Sequence, residues 1–94
     1  MNAPEDGPFE VEWAAPARRA LPRLPEKVAT AAIEFIYGPL VAQPRRVGRL
    51  LRFELEGHYS ARRGDHRILY RVDDEARRVV TEVIEHRADV YRRR

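Results

Sequence analysis

Residues 57–72 read GHYSARRGDHRILYRV, which is the pattern of a β-hairpin. Gly64 and Asp65 form its two-residue turn, and glycine in the first position of such a loop is typical of a type II′ turn. A turn this short fixes the register of the two strands. Counting outward from it predicts five pairs: Arg63 with His66, Arg62 with Arg67, Ala61 with Ile68, Ser60 with Leu69, and Tyr59 with Tyr70.

The hairpin has one apolar and one polar face, because side chains alternate along a strand. On the polar face Arg62 and Arg67 lie directly opposite each other, where like charges repel and cost stability. A sheet that keeps two guanidinium groups together is expected to hold them for an anion, and phosphate is the first candidate. The apolar face carries Tyr59, Ala61, Ile68, Tyr70 and Val72, and the polar face carries His58, Ser60, Arg62, Arg67, Leu69 and Arg71.

An N-terminal strand and a helical hairpin are predicted ahead of this stretch. Residues 8–14 alternate apolar and acidic side chains, which is typical of a half-buried strand. A short helix is expected to begin at Pro16 and to be kinked or shortened by Pro22. A longer helix begins at Pro25 and either ends at the Gly38-Pro39 pair or continues for two apolar residues beyond it.

A third strand is predicted over residues 79–86, antiparallel to the hairpin. A four-residue loop over residues 74–77 would put Arg67 opposite Ile84 and turn His86 to the polar face, beside the two arginines. It would direct three side chains into the core, namely Val79, Thr81 and Val83. We therefore expect an α+β fold: an N-terminal strand, a helical hairpin, a three-stranded antiparallel meander and a short C-terminal element.

Composition limits the class of protein. The 94 residues suffice for one domain, with residues 1–7 as a flexible tail. The chain has no cysteine, no apolar run near the roughly 18 residues of a membrane span, and no signal-peptide pattern at its start. We expect a cytoplasmic protein without membrane contact.

Positive charge is concentrated in the second half of the chain. Arginine accounts for 17 of the 18 basic residues, and residues 43–71 hold eight arginines against three acidic residues, while residues 1–12 hold four acids and no base. This asymmetry favours contact with a polyanion. The alternative is a solvated charged surface with no such partner.

The polar face has the residue types that phosphodiester cleavage needs. Arginines stabilise charge that develops on phosphoryl oxygens, and His86 can donate or accept a proton near neutral pH. Tyr91 follows closely and can stack on a base or orient a hydroxyl. No carboxylate or histidine spacing typical of a metal site occurs, so a nuclease of this kind is expected to need no metal and no cofactor.

Each of these residues also has a structural interpretation. Arg67 can form a salt bridge with Glu82 or Asp65, and Tyr91 can pack against the sheet. His86 has about even chances of being an ordinary surface residue of a strand.

The chain resembles RelE-type toxins of the RelE/ParE toxin–antitoxin superfamily over nearly all of its length after the tail. Each motif alone is weak, but their order and spacing together are specific. The matching segments are residues 17–27, 34–40 (EFIYGPL), 44–48 (PRRVG), 55–57 (LEG), 60–70 (SARRGDHRILY) and 85–91 (EHRADVY).

The resemblance implies one RelE-like toxin domain over residues 8–94, with a fold like that of microbial ribonucleases. It implies a type II toxin that acts as a ribosome-dependent mRNA endoribonuclease. In such toxins the RNA 2′-hydroxyl attacks the adjacent phosphate without a metal and leaves a 2′,3′-cyclic phosphate. The implied partners are a RelB-like antitoxin and the ribosomal A site with its mRNA. Operator DNA would be contacted only through the antitoxin.

The resemblance also assigns roles to individual residues. Arg67 matches the family's phosphate-binding arginine, and Arg62 matches a basic residue of the preceding strand. His86 or Arg87 falls at the position of the acid that protonates the leaving 5′-oxygen, and Tyr91 at the position that orients or deprotonates the 2′-hydroxyl. The remaining RNA-binding candidates are Arg52, Arg71 and Ser60, the last standing where the family has a lysine.

Two other functions fit the same resemblance. The ParE branch shares the fold and inhibits DNA gyrase, although it does not need the C-terminal His-Arg pair and tyrosine. A toxin that has lost activity would survive as an antitoxin-binding or regulatory module.

Overall fold

A computed structural model describes residues 8–52 and 56–86 of the chain. The predicted tail and the C-terminal segment, including Arg87 and Tyr91, lie outside the described residues. The elements in chain order are β1 (Glu10–Trp13), α1 (Ala15–Ala20), a 3-10 turn (Leu21–Arg23), α2 (Glu26–Phe35), a π-helical segment (Ile36–Leu40), α3 (Pro44–Val47), β2 (Arg49–Leu50), β3 (His58–Arg63), β4 (His66–Asp73) and β5 (Arg78–His86). None of the described helices is long and apolar enough to cross a membrane.

The strands form one five-stranded sheet in the order β1-β5-β4-β3-β2. β1 runs parallel to β5, and the other neighbours are antiparallel. The α+β fold class is confirmed, with the helices between β1 and the meander. No helix or strand was predicted between the long helix and the hairpin, yet this part of the chain holds α3 and the edge strand β2.

The register of the β3–β4 hairpin is confirmed at every predicted pair, including Arg62 opposite Arg67. Gly64 has φ of 59°, and Asp65 is not among the residues with positive φ. Positive φ at the first turn position alone is the property of a type II′ turn. The two-residue loop therefore fixes the strand positions of the two arginines opposite each other.

The predicted register of β5 was wrong by one residue beyond its middle. A β-bulge opposite Leu69 and Tyr70 inserts Glu82 between the pairs Tyr70–Thr81 and Leu69–Val83. As a result, Arg67 lies opposite Glu85, where Ile84 was expected. Ile84 is buried in the core in place of Val83, which is only partly buried. Val79 and Thr81, which precede the bulge, face the core as predicted.

One face of the sheet, called the covered face below, packs against the helices. The core joins apolar residues of the helices to those of the sheet: Ala17, Leu24, Phe35, Ile36, Leu40, Ala61, Ile68, Tyr70, Val79 and Ile84. Burying such side chains is the main source of folding free energy. The other face, called the open face below, carries the polar side of the β3–β4 hairpin.

The long helix continues past Gly38-Pro39, the second of the two alternatives. Pro39 has no N–H and would clash with the carbonyl four residues earlier in a regular α-helix. The helix accommodates it by widening to a π-helical segment over Ile36–Leu40. Leu40 and Val41 are thereby buried, at 0% and 6% exposure.

Tyr70 ties the centre of the sheet to the α3 segment. Its hydroxyl donates a 2.6 Å hydrogen bond to the Pro44 carbonyl oxygen. Gly48 lies against the same hydroxyl, and a Cβ there would overlap it. Burial raises the pKa of Tyr70, so the hydroxyl stays protonated and remains a donor.

Candidate active site

A row of charged side chains crosses the open face at one end of the hairpin. Arg62 of β3, Arg67 of β4 and Glu85 of β5 are opposite each other in consecutive strands. Directly opposed residues project from the same face of a sheet. The two arginines that the sequence predicted for an anion therefore lie side by side on a surface that none of the described helices covers.

Glu85 accepts hydrogen bonds from Arg67. Its Oε1 atom lies 3.2 Å from Arg67 Nε and 2.5 Å from Arg67 Nη2. The side chains of Arg67 and Glu85 are 44% and 30% exposed, so the pair is partly screened by water. The salt bridge of Arg67 expected with Glu82 or Asp65 thus forms with Glu85, because the bulge shifts β5 by one residue.

A second pair lies further along the same face. Arg71 Nε donates a 2.6 Å hydrogen bond to Oε2 of Glu82, the bulge residue. Arg62, by contrast, forms no hydrogen bond or ion pair with the residues of the two described stretches. Glu85 and Glu82 offset the repulsion among the arginines, and Arg62 keeps an unneutralised charge at the edge of the row.

His86 lies on the covered face, contrary to the prediction that it points with Arg62 and Arg67. It is opposite His66, which is itself opposite Arg63. The cause is again the bulge, which exchanges the faces of all residues in the last part of β5 relative to a regular strand. His86 is the final residue of β5, so it stands at the end of the sheet near the charged row.

His66 is a buried neighbour of His86. Its side chain is 5% exposed, and its Nε2 atom has no hydrogen-bond partner among the described residues. Burial lowers the pKa of His66, and the nearby His86 and Arg63 lower it further while Asp65 opposes them. His66 is therefore held in its neutral form.

The remaining predicted site residues lie outside the row of Arg62, Arg67 and Glu85 or outside the described part of the chain. Ser60 lies on the open face between Leu69 and Arg49, its partners in β4 and β2. Arg52 is exposed beyond β2. Arg49 joins the open face through this pairing, although no strand was predicted around it. The proposed roles of Arg87 and Tyr91 concern residues outside the described part of the chain.

Glu82 and Glu85 are the functional candidates that sequence reasoning missed. Both stand in a run, VVTEVIEH, in which either of two alternating sets of apolar residues can face the core. The signal that was available is electrostatic: two opposed arginines require nearby carboxylates, and β5 supplies them. Across residues 8–52 and 56–86, no three histidine or acidic side chains are grouped as a metal site would require.

Comparison with known proteins places the chain in a toxin family. A family model described as the ParE toxin of the type II toxin–antitoxin system parDE matches residues 11–91. Toxin RelG of Mycobacterium tuberculosis is 50% identical over 86 residues, which are 92% of this chain and 99% of RelG. Toxin RelE of the same organism is 49% identical over 88 residues, which are 94% of this chain and 91% of RelE.

Solved structures of toxin–antitoxin complexes contain chains with the same fold. A chain in the crystal structure of the toxin–antitoxin complex RelBE2 from Mycobacterium tuberculosis superposes with a TM-score of 0.83 at 47% identity, over 86% of this chain and 100% of that chain. The intact Escherichia coli RelBE complex contains the same fold, with a TM-score of 0.72 at 18% identity over 83% of this chain and 95% of that chain. The resemblance drawn from the motifs is confirmed, and the chain belongs to the RelE-type toxins of the RelE/ParE superfamily of type II toxin–antitoxin systems.

Proposed function

We propose that this toxin is a ribosome-dependent mRNA endoribonuclease that inhibits translation. The observation that carries the proposal is the pair Arg62 and Arg67, which stand side by side on a face that the helices of the described residues leave uncovered. Two guanidinium groups at this spacing can hold one phosphate and stabilise the charge that develops on it during cleavage. Similarity to Toxin RelE and Toxin RelG supports the same activity.

The proposed reaction needs no metal and no cofactor. The 2′-oxygen of the RNA attacks the adjacent phosphorus, and the bond from phosphorus to the 5′-oxygen breaks. The products are a 2′,3′-cyclic phosphate and a 5′-hydroxyl. Arg62 and Arg67 bind the scissile phosphate. His86 or Arg87 assists the leaving 5′-oxygen, and Tyr91 orients or deprotonates the 2′-hydroxyl.

The flanking residues of the open face are proposed to bind the rest of the RNA. Arg71 lies on the same face, further along β4 than Arg67. Ser60 of β3 lies between the level of Arg71 and that of Arg62. Arg52 extends the basic surface beyond β2. The ribosome supplies the remaining positioning by presenting the mRNA in its A site.

We infer that a RelB-like antitoxin is the toxin's protein partner. The RelBE2 and RelBE structures are toxin–antitoxin complexes, and the toxin in them has the fold of this chain. An acidic segment that folds on binding would neutralise Arg62 and cover the open face. The toxin would reach operator DNA only through that antitoxin.

Mapping of RNA 5′ ends in a translating extract tests the proposed activity. The wild-type protein should create new 5′-hydroxyl ends within translated messages, and no ends when ribosomes are omitted. Arg67→Ala should reduce the cleavage at least about 100-fold, because a phosphate ligand is removed. Arg78→Ala is the matched control, since Arg78 also pairs with a carboxylate, that of Glu12, but lies at the far end of β5. Equal cleavage by wild type and Arg67→Ala would contradict the site.

Inhibition of DNA gyrase is the second candidate, because the matching family model is described as the ParE toxin. A supercoiling assay with purified protein and gyrase separates the two. Inhibition of supercoiling without mRNA cleavage would favour the gyrase inhibitor.

A further inference from the structure

Arg67 offers only one of its two hydrogen-bonding edges to Glu85. The contact uses Nε and Nη2, both directed at Glu85 Oε1. Nη1 makes no hydrogen bond with the described residues. A guanidinium group can bind two oxyanions at once through its two edges. Arg67 can therefore hold a phosphate without releasing Glu85.

The order of the row determines what lies next to such a phosphate. Arg67 stands between Arg62 on one side and Glu85 on the other, and adjacent strands are about 4.8 Å apart. A phosphate bound by Arg67 consequently has a carboxylate within about one strand spacing. In RNA, the 2′-hydroxyl is carried by the carbon next to the one that bears the phosphate, so it reaches the same region.

We propose that Glu85 is the general base of the reaction, an inference that rests on the proposed endoribonuclease function. The Glu85 carboxylate takes the proton of the 2′-hydroxyl as the 2′-oxygen bonds to phosphorus. The electron pair of the breaking bond leaves with the 5′-oxygen, which takes a proton from the acid at the C-terminal end of the site or from water. Glu85 afterwards returns its proton to water. Tyr91 is then left to orient the hydroxyl.

The surroundings of Glu85 fit this role. Its side chain is 30% exposed, so substrate can reach it while Arg67 fixes its orientation. Glu82, a second carboxylate on this face, is bound to Arg71, which lies four residues further along β4 than Arg67.

Glu85→Gln tests the proposal, because the amide oxygen still accepts hydrogen bonds from Arg67 but the side chain no longer takes a proton. Single-turnover cleavage of a defined mRNA on purified ribosomes is measured over a range of pH and ribosome concentration. We expect the maximal rate to fall at least about 100-fold, the half-saturating ribosome concentration to change less than about threefold, and the loss of rate at acid pH to disappear. Glu85→Asp should restore part of the rate.

Glu12→Gln is the control, since it also removes a carboxylate that pairs with an arginine of the sheet, Arg78. It should cleave at the wild-type rate. Thermal unfolding of each variant shows whether it is folded. A Glu85→Gln protein with wild-type rate and pH dependence would overturn the proposal. A change in half-saturation alone would also overturn it, because Glu85 would then only compete with phosphate. Absence of cleavage by the wild-type protein overturns the proposed function itself.

Discussion

The two faces of the one sheet differ in what holds them. On the covered face, apolar side chains of the sheet and the helices, such as Ile68 and Ile36, belong to one buried cluster, and both are 0% exposed. On the open face, Arg67 and Arg71 of β4 pair with carboxylates of β5, and these side chains remain partly solvated. Buried apolar area supplies most of the folding free energy, whereas exposed ion pairs contribute little. The difference teaches that the covered face determines stability and leaves the open face available for function.

Gly48→Ala should produce the largest change in stability. The added methyl group overlaps the Tyr70 hydroxyl, and the backbone carbonyl of Ser60 lies close by, so the sheet and α3 must move apart. We expect the free energy of unfolding to fall by about 1–3 kcal/mol, as measured by urea denaturation. Gly38→Ala is the control, since nothing lies within 4 Å of a Cβ there. Equal stability of the Gly48 variant and wild type would contradict the close contact.

Tyr70→Phe keeps the ring of Tyr70 and removes its hydrogen bond. The Pro44 carbonyl oxygen then loses the donor of a 2.6 Å bond in a buried setting. We expect a loss of about 1–2 kcal/mol of unfolding free energy, with RNA cleavage by the folded protein unchanged. A reduced cleavage rate at full folding would show that the two faces are coupled.

Arg62→Ala should affect function and spare stability. Because Arg62 has no partner among the described residues, its removal leaves no carboxylate unpaired. We expect unfolding free energy within about 0.5 kcal/mol of wild type and ribosome-dependent cleavage reduced about tenfold. Paired urea denaturation and cleavage assays measure both. A destabilised Arg62→Ala protein with normal cleavage would contradict this prediction, because Arg62 would then serve stability and not function.

Binding of the antitoxin should weaken with salt if the open face is its contact. We expect affinity to fall about tenfold between 0.05 and 0.5 M salt, because exposed charge pairs are screened. Calorimetric titration with a RelB-like antitoxin measures it. Affinity that is independent of salt would indicate that the antitoxin binds apolar surface instead.

The smallest effect concerns pH and the buried His66. Burial holds its pKa below the unfolded value of 6.5, so the unfolded chain binds a proton that the folded protein does not. Stability should therefore fall as pH is lowered through about 6.5. His66→Phe, measured by thermal unfolding at pH 7 and pH 5, should lose less stability on acidification than wild type. An equal loss in both proteins would assign the dependence to other groups.

Sequence reasoning succeeded where local chemistry fixes geometry. The Gly64-Asp65 turn determines the hairpin register, and hence the placement of Arg62 beside Arg67, without reference to the rest of the fold. It failed at Glu82, because a bulge depends on twist and on packing against the helices, which no short window of sequence reports. It also missed β2, whose two residues form a strand only because β3 lies beside them.

The extra residue at Glu82 has a consequence for comparing this protein with its relatives. Up to Thr81, the residues of β5 keep the pairing register in which the strand begins. From Val83 onward, including the residue opposite Arg67, the register is shifted by one residue. A relative without this insertion would show a one-residue gap between positions 81 and 83, while its last strand residues still met the arginine. Residues after Glu82 are therefore matched to such a relative by their position opposite Arg67. An alignment without the gap would set an imidazole against the Glu85 carboxylate.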